Sequence, residues 1–239
     1  MNCGTKKSLL CGILTLMFFF AQYSAGAGEK LSVQNIETSL ASEGFNNITV
    51  SVTNPGIVKI KGDVSLLYDK DRIFEIVSQF PGVKGISNQI VVSTVELPDS
   101  VIKANILSEL QYIYTIRNPN EIHVVVSDGD VHLTGTVDYY REKLMAATVV
   151  SWQQGVLGCV NDIQVIPSNK LYTDQNIEKM VTEVLKNRYS IERNIKVNVS
   201  GGVITLTGPV SSLWAKDEIE KDIHRLVGVK KINNDLAVM

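Results

Sequence analysis

Residues 195–210 read IKVNVSGGVITLTGPV. Ile195, Val197 and Val199 alternate with polar residues, the period-two pattern of a half-buried strand. Ser200-Gly201-Gly202 supplies a hairpin turn, and Ile204 and Leu206 form the returning strand. Upstream, Ile177, Met180, Val181, Val184 and Leu185 have helical spacing. Downstream, a second helix is predicted from about Ser212 to Leu226, with Ile219, Ile223 and Leu226 on one face. Gly228 ends it, and Ile232 to Val238 make a last strand. The unit is therefore helix-strand-strand-helix-strand.

The same unit occurs three times. Gly62-Asp63-Val64, Gly135-Thr136-Val137 and Gly208-Pro209-Val210 recur at a step of 73 residues. Gly82-Val83, Gly155-Val156 and Gly228-Val229 keep that step, as do Asn88, Asn161 and Asn234. Apolar columns run in phase, among them Val58/Val131/Ile204 and Ile60/Leu133/Leu206. A step this long implies tandem small domains rather than a solenoid. The expected boundaries are residues 31–95, 98–167 and 170–239. The first glycine column lies just after the hairpin, where a side chain would obstruct the backbone. In the first copy the turn Thr53-Asn54-Pro55-Gly56 is one residue longer, which shifts its first strand out of step. The fold class is α+β: three αββαβ domains, each with two helices packed on one face of a three-stranded sheet.

The 239 residues are 44% hydrophobic and 20% charged, which excludes disordered, collagen-like and multi-pass membrane chains. At the amino end, Lys6 and Lys7 precede an apolar run from Leu9 to Phe20, and Ala25-Gly26-Ala27 forms a small-residue exit. That order reads as a secretory signal over residues 1–27, cleaved near Ala27. The run is shorter than the roughly 20 residues that span a bilayer. Cys3 and Cys11 leave with the signal, so the mature chain keeps Cys159 without an internal disulfide partner. Neither early cysteine stands where lipid attachment requires one. Losing Lys6 and Lys7 takes the net charge from −2 to −4.

The order of elements, the G-x-V after the hairpin, the G-V closing the second helix and the Asn before the last strand resemble the BON domain family. The resemblance covers residues 31–239 in three copies. It implies a periplasmic or outer-membrane location, contact with phospholipid surfaces, and maintenance of the cell envelope under osmotic and other stress. For some members it implies a chaperone role toward outer-membrane proteins. It brings no catalytic residues and no cofactor. The chain departs from two-copy lipoprotein members, so membrane contact would be peripheral.

Catalytic and metal readings find little support. His123 and His132 fall on neighbouring strands without a third ligand for zinc. Cys159 has no reason to meet His224, which lies in another repeat. Ser127-Asp128-Gly129-Asp130 lacks the remaining ligands of a calcium loop. Gly82-Val83-Lys84-Gly85 matches a G-x-x-G loop, but it joins a helix to a strand rather than two helices, so nucleic acid is not expected.

Charge separates the copies: the three repeats carry −1, −4 and +2. In the third, Lys186, Arg188, Arg193 and Lys196 lie between its first helix and first strand. Lys216, Lys221, Arg225, Lys230 and Lys231 lie along and after its second helix. With Trp214, these five form the candidate contact for anionic phospholipid, worth roughly 1 kcal/mol per basic residue near the surface. Glu218, Glu220 and Asp222 are interleaved, so an ordinary solvated helix face is the alternative. In the second repeat Met145, Val149 and Trp152 form an extra apolar stripe, a candidate surface for a neighbouring repeat, a lipid interface or an unfolded envelope protein.

Overall fold

The computed structural model describes residues 31–167, 172–192 and 194–239; the expected export signal, Lys170 and Arg193 lie outside the described residues. The first repeat comprises α1 (Val33–Ser42), β1 (Thr49–Asn54), β2 (Ile57–Val64), α2 (Leu67–Ser78) and β3 (Gly85–Val92). The second comprises α3 (Asp99–Tyr112), β4 (Ile122–Ser127), β5 (Asp130–Val137), α4 (Tyr140–Ser151) and a broken strand, β6 (Gly158–Asn161) and β7 (Gln164–Val165). The third comprises α5 (Asp174–Arg188), β8 (Lys196–Ser200), β9 (Val203–Val210), α6 (Leu213–Ile223) and β10 (Lys231–Val238). Each is the expected αββαβ unit, although α6 stops three residues short of the predicted Leu226.

In every sheet the second strand is central, antiparallel to the first and parallel to the last. The parallel pairing joins Ile57 to Gly85, Asp130 to Gly158, Thr136 to Gln164 and Val203 to Lys231. The offset is the same throughout, so β6 and β7 are one strand interrupted at Asp162-Ile163. The longer first turn appears as a register shift between Val52 and Asn54. Helices cover one sheet face only. Ile36 and Leu40 of α1 and Ile73, Ile76 and Val77 of α2 close over Val58 and Ile60. The other two repeats build equivalent cores around Leu133 and Leu206. Each fully buried branched side chain contributes about 1.5–3 kcal/mol by leaving water.

Two polar devices fix the helices to the sheet. Asn161 Nδ2 donates to the Lys143 carbonyl (2.7 Å) and its Oδ1 accepts from Ile163 N (3.3 Å). Asn234 does the same with Lys216 (3.0 Å) and Leu236 (3.4 Å). In these two repeats the asparagine column thus ties the last strand to the second helix; in the first repeat Asn88 Oδ1 accepts from Ile90 N. The second device is an aspartate opening the first helix. Asp99 accepts from Asp128 N and Gly129 N, and Asp174 from Gly201 N and Gly202 N, so each carboxylate clamps a hairpin turn.

The three repeats close into a ring. Leu67, at the start of α2, packs against the second repeat's core. Tyr140, one repeat step later, packs against the third repeat's core. Leu213, a further step on, packs against the first repeat's core. Equivalent residues therefore make the junctions 1→2, 2→3 and 3→1, which is head-to-tail closure about a pseudo-threefold axis. Glu75 and Lys221 occupy equivalent positions and touch at 2.9 Å. Equivalent residues meet only close to the axis, so α2, α4 and α6 converge there.

Candidate functional site

The closed ring sorts the basic residues of the third repeat into two groups. Lys221 Nζ lies 2.9 Å from Glu75 Oε1, 2.8 Å from Asp217 Oδ2 and 3.1 Å from Glu218 Oε1. Burial alone would lower its pKa, but hydrogen bonds and charge from Asp217 and Glu75 outweigh it and hold it well above the usual lysine value. Arg72 completes the network through Glu75 at 2.8 Å. Burial pushes the Glu75 carboxyl up, yet Lys221 and Arg72 together bring it below its ordinary value. A lipid headgroup offers roughly 1 kcal/mol per basic residue. It would have to replace three carboxylates, so Lys221 belongs to the junction between repeats. Lys216 is also committed, donating to the Leu236 carbonyl at 2.8 Å.

Arg225, Lys230 and Lys231 are exposed. Arg225 approaches Asp222 at 3.5 Å, and the Lys230 stem lies across Gly202 of the hairpin. Trp214 keeps 37% of its surface in solvent. The geometry adds Lys143, which the sequence reading passes over. Burial lowers its pKa, and Lys231 of the next repeat lowers it further, with Asp162 opposing. Two lysines thus face each other's field across the 2→3 junction. The pairing is invisible in sequence because the residues belong to different repeats.

The apolar stripe of the second repeat divides as well. Val149 has no exposed surface and belongs to the core. Met145 packs against that core while partly exposed. The Trp152 ring meets Tyr68 of the first repeat edge-on, with centroids 5.9 Å apart. Judging the helix face from Trp152 places Val149 outward, and the structure corrects this. The buried face of α4 instead runs through Glu142, Ala146, Val149 and Val150.

Buried carboxylates elsewhere serve packing. Asp222 takes the helix position held by Ile76 and Val149 in the sister repeats, and it accepts from Arg188 (2.6 Å) and the Tyr189 hydroxyl (2.5 Å). Glu142 accepts from Asp138 N and Tyr139 N and from Arg117 N. His132 pairs with Asp162 at 2.7 Å on the open sheet face. Among the described residues no group of three or more His, Cys, Asp or Glu is placed to hold a metal ion. Burial, with the charge of Asp71, pushes the Cys159 thiol up to about 11, leaving little thiolate at neutral pH. The Ser127–Asp130 turn uses two of its amides to bind Asp99, as a clamped hairpin does. No helix among the described residues is long and apolar enough to cross a membrane.

Comparison with known proteins gives the family. The BON domain model matches residues 33–94, 98–167 and 173–239. A protein of Anaplasma centrale, described as an uncharacterized protein in the gshII 5′ region, is 32% identical over 118 residues, covering 47% of this chain and 73% of that one. CdsD, a structural protein of the type III secretion system of Chlamydia trachomatis, aligns over 87% of this chain and 91% of its own at 14% identity, with a TM-score of 0.24. The periplasmic domain of PrgH from S. typhimurium aligns over 83% and 97% at 8% identity, with a TM-score of 0.20. Scores this low carry no argument about fold or role. BON domains are binding and structural modules associated with the bacterial envelope, and three tandem copies account for nearly all the described residues. The chain belongs to the BON domain family.

Proposed function

We propose that this protein is an exported envelope-integrity module that binds anionic phospholipid surfaces peripherally through its third repeat. Arg225, Lys230 and Lys231 make the headgroup contacts, Lys143 extends them across the 2→3 junction, and Trp214 enters the interfacial layer. The observation that carries this reading is the division of the basic residues. Lys216 and Lys221 are consumed inside the molecule, whereas Arg225, Lys230 and Lys231 stay in solvent. The alternative reading, a holdase for unfolded outer-membrane proteins, loses Val149 but keeps Met145 and Trp152, the latter 41% exposed. Val149 is in the core and Trp152 faces Tyr68.

Co-sedimentation of the purified protein with phosphatidylglycerol and phosphatidylcholine vesicles, at low and physiological salt, tests the reading. Binding should require the anionic lipid and weaken with salt as screening takes effect. Reversing Arg225, Lys230 and Lys231 to Glu together should lower vesicle affinity by about 100-fold, from roughly 1 kcal/mol per basic residue removed. A folded triple variant that binds as the parent does would overturn the assignment. Binding indifferent to salt would turn the case toward apolar clients.

A further inference from the structure

We infer that the third repeat is an exchangeable element, and that the socket it fills on the first repeat accepts the third repeat of a second copy of this chain. The 3→1 junction closes the ring between segments far apart in sequence; Lys221 and Glu75 are separated by 146 positions. Among the described residues no backbone hydrogen bond crosses it. Its contacts are side chains: Leu213 against the first repeat's core, and Lys221 against Glu75. Each repeat has its own buried cluster, so opening the junction leaves the domains folded.

The partner follows from complementarity. The surface bared on the first repeat presents the apolar residues that Leu213 packs against and, separately, the carboxylate of Glu75. The surface bared on the third repeat presents Leu213 and Lys221, so the two are complementary in shape and charge. In an exchanged pair the third repeat leaves both of its junctions, the Tyr140 contact with its core included, and the first two repeats of one chain and the third of another rebuild the same ring, twice over. The contacts within and between molecules are then identical, and only effective concentration favours the closed monomer. For domains joined by short linkers that concentration is on the order of millimolar. The Lys221–Glu75 ion pair crosses this junction and is only partly buried, so high salt weakens it, though less than it would a fully exposed pair.

The test uses charge reversal in two separate chains. Glu75→Arg places a cation against Lys221 and Arg72 in its own ring, and Lys221→Glu places an anion against Glu75. Each variant alone meets its clash whether closed or exchanged. Mixed in equal amounts, the two variants form exchanged dimers that relieve both clashes across the junction, while those with Arg72, Asp217 and Glu218 inside each helix persist. One ring then sets the introduced arginine against the introduced glutamate, and the other restores the unaltered pair of Glu75 and Lys221.

Light scattering after size exclusion should show the mixture at twice the monomer mass near about 10 µM, roughly 100-fold below wild-type self-association, if each repaired junction contributes about tenfold. Each variant alone, and a single chain carrying both changes, should remain monomeric. A mixture that stays monomeric while the doubly substituted chain melts above both single variants overturns the inference. Should either variant fail to fold, wild-type chains bearing donor and acceptor dyes are incubated together in 1 M salt and returned to low salt, a step up that cuts the screening length to about 3 Å. Energy transfer supports exchange, and its absence after a day overturns it.

Discussion

Replacing Gly135 with alanine tests the physical reason for the glycine that follows each hairpin. Gly135 has φ +114° and pairs with Ile122 across β4 and β5. A Cβ placed there would overlap the Glu121 carbonyl oxygen and lie 3.0 Å from its carbon and 3.2 Å from the Ile122 Cα. All three are backbone atoms, and Ile122 is only 2% exposed, so the start of β4 cannot retreat without opening the core. The dihedral alone costs about 1–3 kcal/mol for a residue with a side chain. Displacing a core strand adds a comparable amount, for a total near about 4 kcal/mol. A domain of this size has about 0.05–0.15 kcal/mol of stability per residue, so the second repeat would be left close to unfolding. Gly201→Ala is the control. Its φ is +59°, but no atom lies within 4 Å of the added Cβ, so only the left-handed penalty of roughly 1–2 kcal/mol applies. Each 1 kcal/mol shifts Tm by about 4–8 °C in a domain this small. Thermal unfolding followed by circular dichroism should show a modest shift for Gly201→Ala. For Gly135→Ala the shift should be two to four times larger, or an early separate transition. Equal shifts would refute the steric account of the column.

Two further outcomes follow from named contacts. Asp174→Ala should accelerate amide exchange at Gly201 and Gly202 by about tenfold or more and leave Asp128 and Gly129 unchanged, because Asp99 clamps the latter turn. Those two amides also hold the Asp174 carboxyl below its usual pKa, so the clamp is intact above about pH 4 and is lost as pH falls through the folded value. At the 2→3 junction, burial and the charge of Arg225 lower the His224 pKa while its ring faces Tyr140, and its Nδ1 has no hydrogen-bond partner. A depressed histidine contributes stability that is present above about pH 6.5 and lost as pH falls through the folded value. The wild-type Tm should therefore drop as pH falls from about 6.5 to 5, and His224→Gln should flatten that part of the profile; parallel profiles would refute it.

The features legible in the sequence and those hidden in it divide along a physical line. Strand alternation, helix spacing, the glycines and Asn88/Asn161/Asn234 are answers to problems inside one repeat, and each repeat solves them with neighbours close in sequence. They stand out because they recur three times. The fate of Lys221 is different in kind: its partner Glu75 belongs to another domain, and nothing local marks the pairing. Asp217 and Glu218 beside it read as an ordinary mixed helix face. Asp222 misleads in the opposite way, since a charged residue in a core column reads as exposed until Arg188 and Tyr189 are seen to reach it. Val149 shows the limit of judging a helix face from one aromatic, because Trp152 caps the end of α4, where the surface turns toward the first repeat.

The columns that disagree between repeats carry information too, because several of them lie at the junctions. The contact Tyr68 to Trp152 has, one step on, the counterpart Arg141 to Arg225, two cations where the first junction has two aromatics. Arg141 lies over the Tyr139 ring at 4.7 Å and Arg225 turns to Asp222, so each is diverted, but Lys143 and Lys231 still act on one another there. At the 2→3 junction burial of Lys143 and the charge of Lys231 oppose the lysine charge while Asp162 favours it, and under the proposed function an anionic headgroup adds to what Asp162 supplies. Lys143→Met separates this view from a purely structural one. The depressed Lys143 pKa means that its charge opposes folding at neutral pH, so removing it should leave Tm unchanged or raise it by a few degrees. The same change should weaken binding to phosphatidylglycerol vesicles by about fivefold, from the loss of roughly 1 kcal/mol of attraction to the anionic surface. Opposite signs in the two measurements identify a residue kept for its ligand. A variant that loses stability and binds as well as the wild type would make Lys143 a packing residue and confine the lipid contact to the third repeat.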